Sequence, residues 1–182
     1  MHKLARSNAE AHLYMSMNPC ECGETRFAGL PKGAVLTADG DPASRYDATC
    51  ASCGAARRFE FRLPATILPP LAQGVRFGGD EPSELLDPGE WMLVADDHAQ
   101  RVPAHGAGPT IAAGGGPERA LTVAIAALDE ILKFFPPDAD ECPAEAFSSA
   151  RGKAAHAADP GRFQRARLAA ARAAYAAVLE RA

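Results

Sequence analysis

The sequence predicts an α+β protein: a small antiparallel β unit followed by a mainly α-helical region. Residues 33–49 read as a hairpin around a turn, and Arg57 to Leu63 alternates apolar and polar side chains as a half-buried strand does. From residue 88 onward the apolar spacing becomes helical and is punctuated by capping signals. Two tight cysteine pairs bracket the strand-like stretch. The 182 residues are 47% hydrophobic but only 7% aromatic, and 40 are alanine, so the apolar total overstates the core. A chain of this length buries roughly 70% of its unfolded surface, enough for one domain or two small ones. A net charge of -4 with 23% charged residues excludes both a disordered chain and a protein that coats nucleic acid broadly. Arginine outnumbers lysine by 15 to 4, which together with abundant Ala, Gly and Pro reads as a coding bias of bacterial type.

Residues 1–18 form the first segment. Met1 to Met17 has charged and polar residues throughout and lacks the apolar run of a signal peptide. The longest apolar stretch, Ala120 to Leu128, is far shorter than the ~20 residues of a membrane helix, so the expectation is a cytoplasmic protein without a membrane partner. Asn8 to Met17 reads as a helix with Ser7 as N-cap and with Leu13 and Met17 on one face. Residues 19–64 form the β unit. Gly33 to Ala38, a turn at Asp39-Gly40-Asp41, and Ser44 to Thr49 read as a hairpin. Arg57 to Leu63 places Phe59, Phe61 and Leu63 on one face and Arg58, Glu60 and Arg62 on the other.

Residues 65–104 hold a Pro- and Gly-rich connector and a capped helix, Pro88 to about Val102, begun by Asp87-Pro88-Gly89-Glu90. Trp91, Met92, Ala95, Ala99 and Val102 form its apolar stripe. Residues 105–116 read as a Gly/Ala-rich linker or loop where a domain boundary can fall. Residues 117–182 are the helical region. Pro117 to Phe135 is its strongest amphipathic element, with Asp129, Glu130 and Lys133 off the apolar stripe. Pro143 to Ala158 is a weaker helix interrupted by Gly152, and a last helix starts at Asp159-Pro160. Its many alanines suggest close approach of neighbouring helices.

The chemistry-bearing signal is Cys20-Glu21-Cys22-Gly23 and Cys50-Ala51-Ser52-Cys53-Gly54, with 27 residues between Cys22 and Cys50. Four thiolates complete a tetrahedral zinc ion, and the glycine after each pair allows the sharp turn that aims backbone amides at sulfur. Free thiols or a redox pair are the competing reading. The segment from Pro19 to Leu63 resembles a zinc ribbon, a family of small β modules in which two cysteine knuckles clamp one zinc. The first pair departs from that family's usual spacing, having Glu21 alone between its cysteines. The resemblance implies a structural zinc cofactor held by Cys20, Cys22, Cys50 and Cys53. His12 is a substitute only should one cysteine fail; on the preceding helix it reads first as a partly buried polar residue. Cys142 is an ordinary thiol with no cationic neighbour to activate it.

Other patterns are weaker. Arg57, Arg58 and Arg62 on the strand and Arg162, Arg165 and Arg172 on the last helix are candidate partner-binding residues, as is Trp91. The acids of residues 117–145 offer the basic C-terminus an internal counterpart instead. Asp80, Glu81, Glu84, Asp87 and Glu90 form an acidic stretch suited to a basic partner. Asp96-Asp97-His98 cannot converge on one ion, because consecutive helical residues point about 100° apart. Gly114 to Gly116 lacks the Lys and Ser or Thr of a phosphate loop. No enzyme constellation emerges from the residues. The expected function is a non-catalytic zinc-binding adaptor or regulator acting through a protein partner, and the alternative is a nucleic-acid-associated regulator using the zinc unit and the arginine helix.

Overall fold

The computed structural model of the chain describes residues 2–29, 32–37, 39–69, 71, 74–102 and 116–181. The described residues form five α-helices and a four-stranded antiparallel sheet, the α+β class expected. The chain divides into two compact units, Met1–Pro69 with Phe77–Gly79 and Ser83–Leu85, and Pro70–Arg76 with Asp80–Pro82 and Leu86–Ala182. Apart from Gly116, the linker of residues 105–116 lies outside the described residues.

The N-terminal unit begins with α1 (Asn8–Met17). Ser7 caps it, its hydroxyl accepting from the Glu10 amide at 3.1 Å. The expected inner face, Leu13 and Met17, is only half-buried; Ala11 and Met15 point inward with Glu10. Glu10 turns inward because a complete donor set meets it. Its carboxylate accepts from the Arg6 amide at 2.7 Å, from the Arg6 guanidinium at 3.0 and 2.6 Å, and from the Ser83 hydroxyl at 2.6 Å. A Cβ on Gly78 would lie 2.5 Å from that guanidinium, so any side chain there would have to displace it from Glu10.

The sheet is built on β3 (Pro42–Cys50). On one side β3 pairs with β1 (Phe27–Ala28) and β2 (Lys32–Leu36), and on the other with β4 (Ala56–Arg62). One face is apolar, with Tyr46 and Phe61 buried and ring contacts running from Tyr14 to Phe61 and from Phe27 to Phe59. The other face is a charge ladder. Arg58 stands opposite Asp47 and Glu60 opposite Arg45, ion-paired at 2.7 Å in each case.

In the C-terminal unit, α2 (Pro88–Gln100) starts with the capping box that the sequence predicts. Asp87 accepts from the Glu90 amide at 2.9 Å and also from the Ser149 amide at 2.7 Å. Ser149 in turn caps α4 (Ala150–Ala158), accepting from the Gly152 amide. The expected Pro143–Ala158 helix is therefore split: a 3-10 turn, Ala144–Ala146, precedes α4. Gly152 does not interrupt that helix. It lies within it, so close to α2 that a Cβ on Gly89 would sit 2.4 Å from the Gly152 Cα.

The core of this unit lies around α3 (Pro117–Leu132), which packs against α2 and α5 (Arg165–Leu179). Trp91, Ala124, Ala127, Leu128, Ile131 and Phe163 are fully buried there. Glu130, expected on the polar face, is buried with its carboxylate 2.6 Å from Lys133 Nζ. α5 packs against α3, as expected of this region, although Leu168 is its one buried residue and most of its alanines are exposed. A still tighter approach falls at Gly89 and Gly152.

Gly89→Ala and Gly152→Ala should each destabilise the C-terminal unit by about 2 kcal/mol or more, since the added methyl overlaps backbone in one case and the engaged Asp87 carboxylate in the other. That exceeds the ~1 kcal/mol by which alanine is favoured over glycine in a helix. Gly33→Ala, whose Cβ meets nothing within 4 Å, should change thermal unfolding little. A second expectation concerns pH. Burial, reinforced by Asp87 and Glu145, pushes the Cys142 thiol up to about 12. An unfolded thiol titrates near ~8.5, so on raising the pH the unfolded chain loses this proton first. The thiol's contribution is whole below about pH 8.5 and is lost progressively toward pH 12. Cys142→Ala should therefore flatten the alkaline fall in melting temperature, and equal slopes for the two proteins would refute that origin.

Candidate metal centre

Two turns and one strand register build the site. After α1 the chain turns at Cys20, whose carbonyl accepts from the Gly23 amide at 2.7 Å, and Gly23 takes the left-handed conformation at φ +87°. The chain then enters β1, where Phe27 pairs with Cys50, the last residue of β3. That register sets the first turn beside the second. There the Cys50 carbonyl accepts from the Gly54 amide at 3.0 Å, and Gly54 is left-handed at φ +73°. A side chain at either glycine is disfavoured by its own backbone, which is the reason for glycine after each pair.

The result is a four-sulfur cluster. The Sγ atoms of Cys20, Cys22, Cys50 and Cys53 all lie within 4.8 Å of one another. Cys20 and Cys53 are 3.6 Å apart, and Cys22 and Cys50 3.5 Å. Disulfide sulfurs would be bonded at about 2.05 Å; these cysteines are free. A regular tetrahedron with metal–sulfur bonds of about 2.3 Å has sulfur–sulfur edges of about 3.8 Å. The cluster is close to that size, so four soft donors fit one tetrahedral ion, and the single-residue spacing of Cys20 and Cys22 does not prevent it. The arrangement on an antiparallel sheet is compatible with a zinc-ribbon-like module.

Electrostatics within the cluster are uneven. The Cys53 amide, with that of Ser52, holds the Cys50 thiol down at about 6. The Cys22 amide lowers Cys20 in the same way. Cys53 receives the Ala55 amide, yet the three neighbouring sulfurs outweigh it and push Cys53 up to about 12. Negative charge is thus invited at Cys20 and Cys50 and resisted where it accumulates, a conflict that a divalent cation resolves. Cys20 and Cys50 are buried, while Cys22 and Cys53 are exposed. Beside the first turn, hydrogen bonds from the Arg26 side chain hold the Glu24 carboxyl at about 2.

The other singled-out residues do not join the centre. His12 packs its ring edge-on to Tyr46 and contributes no ligand atom to the cluster. Arg57 lies over the Phe27 and Phe59 rings and donates to the Asn18 carbonyl at 3.2 Å. Arg58 pairs with Asp47, and Arg62 with Glu84. Trp91 is wholly buried, a core residue with no surface to offer a partner. Arg162 forms a two-pronged pair with Asp96 at 2.8 and 2.6 Å, and Arg172 pairs with Asp129 at 2.6 Å. Arg165 donates to the carbonyls of Ala139 and Pro136. Within the acidic stretch of residues 80–90, Asp87 and Glu90 are buried as a capping box, and Glu84 is taken by Arg62. Asp96, Asp97 and His98 diverge as their spacing requires: Asp96 goes to Arg162, and Asp97 pairs with Arg101.

No family model matches the chain, and neither a curated protein nor a solved structure matches it significantly. No helix among the described residues is long and apolar enough to cross a membrane.

Cobalt(II) added to the reduced protein should give the intense visible and sulfur-to-metal bands of a tetrahedral thiolate complex, saturating at about one equivalent per chain. Cys22→Ser should weaken and shift those bands. An octahedral spectrum, or saturation unchanged by the substitution, would exclude the four-sulfur centre.

Proposed function

We propose that this chain is a non-catalytic, zinc-stabilised adaptor or regulatory protein that acts by binding another protein. The observation that carries the reading is the convergence of four thiols at tetrahedral spacing. Four thiolates fill the coordination of one zinc ion and leave no position for water or substrate, so the ion would organise folding and perform no chemistry. The N-terminal unit supports a protein partner in a second way. It exposes large apolar side chains, Leu36 at 71% and Ile67 at 79%, with Leu68 beside Ile67 at 37%. The arginines that a nucleic-acid partner would need are engaged with carboxylates or carbonyls, which favours the protein reading over that alternative.

Metal analysis of the purified protein should find about one zinc per chain, and Cys50→Ser or Cys53→Ser should abolish cooperative unfolding of the N-terminal unit. Iron in place of zinc, or variants as stable as the parent, would overturn the metal assignment. Cross-linking in the source cells should recover one partner stoichiometrically with the parent chain and lose it with Ile67→Asp. Recovery of the chain alone, or duplex binding with a steep salt dependence, would overturn the adaptor reading.

A further inference from the structure

The C-terminal unit contains a cleft of about 200 Å³ formed by α2, α3, α5 and the turn Pro160–Phe163. Its floor is apolar, made by Met92, Leu128, Leu168 and Ala171. Its polar groups are the Arg162–Asp96 pair, Arg167 and Tyr175. They are not equivalent. Arg162 already has its charge matched by Asp96 through two hydrogen bonds. Arg167 is exposed and has no ion pair among the described residues. The Tyr175 hydroxyl makes no hydrogen bond among them either. Burial and then Asp96 raise the Tyr175 phenol, which keeps it a proton donor at neutral pH.

From these groups we infer that the cleft is a binding site for a small monocarboxylate with a compact apolar body. The guanidinium of Arg167 supplies charge-assisted donors for the carboxylate, the Tyr175 hydroxyl is a further donor in the lining, and the floor receives the hydrocarbon part. Size agrees, because an apolar cavity of about 150 Å³ holds a benzene-sized ring. Charge selects the carboxylate over phosphate: the lining carries one net positive charge, and Asp96 in the lining with Asp159 near the Arg167 guanidinium repels a dianion more than a monoanion. The site is independent of the cysteine centre, so failure of either assignment leaves the other standing.

The test is amide NMR and calorimetry on the zinc-loaded full chain, titrated with benzoate and isovalerate, and with benzamide and inorganic phosphate for comparison. Both carboxylates are expected to bind saturably and to move the amides of Ala171 and Tyr175, with benzamide and phosphate at least about tenfold weaker. Arg167→Ala should weaken benzoate binding by about tenfold, and Tyr175→Phe by a smaller factor. Ala171→Leu, which fills the floor, should abolish it. An unchanged melting temperature separates lost binding from lost folding in each variant. The proposal is overturned if neither carboxylate saturates by about 10 mM, if benzamide or phosphate binds as well as benzoate, or if Arg167→Ala retains full affinity.

Discussion

Four sulfurs confined within 4.8 Å are the constraint on which the N-terminal unit depends. Thiols so close cannot ionise together without a cation: backbone amides hold Cys50 at about 6, while the three neighbouring sulfurs push Cys53 up to about 12. The sheet around them is small, four strands with a single apolar face. One ion bound there would join two turns 27 residues apart in sequence, a cross-link where the apolar core is thin. The pairing of Phe27 with Cys50 makes this geometry specific: a slip of one residue would send every side chain of β1 to the opposite face and move the first turn away from the second.

Buried carboxylates with full donor sets hold the remaining geometry. An unpaired carboxylate in the interior costs several kcal/mol, so each must bring partners with it. Glu10 gathers the backbone and side chain of Arg6 and then Ser83, which lies 73 residues away. Asp87 does the same in the C-terminal unit, capping α2 and holding the first turn of α4 through Ser149. Each network starts from a short local motif and is completed by a distant residue. The close passage of Gly89 and Gly152 follows from the second network, because Asp87 occupies the space that a Cβ at Gly152 would need.

That division explains what was legible in the sequence. Elements governed by local periodicity and capping are readable: α1 with Ser7, the hairpin of β2 and β3, the alternation of β4, and α2 from its capping box. The metal centre is readable for a similar reason, since two cysteine pairs with trailing glycines specify both the ligands and the turns. What depends on distant partners is not readable. Leu13 and Met17 look like the inner face of α1 until Arg6 and Ser83 draw Glu10 inward. Gly152 looks like a helix breaker until Gly89 is known to face it. The cleft of the C-terminal unit is assembled from α2, α3 and α5, and no stretch of sequence carries a motif for it.

The arginine surplus gains a structural meaning from these contacts. A guanidinium presents a planar fork that matches carboxylates and carbonyl pairs, a task for which lysine is a poor substitute. Arg6, Arg26, Arg45, Arg58, Arg162 and Arg172 each meet a carboxylate, and Arg165 bridges two carbonyls. Charge that looks like a basic surface in the sequence is therefore largely matched inside the fold. Where nearby groups already match a charge, an added anion gains little. A site for an anion arises where that matching fails next to an apolar hollow, and the side chain that meets both conditions is Arg167.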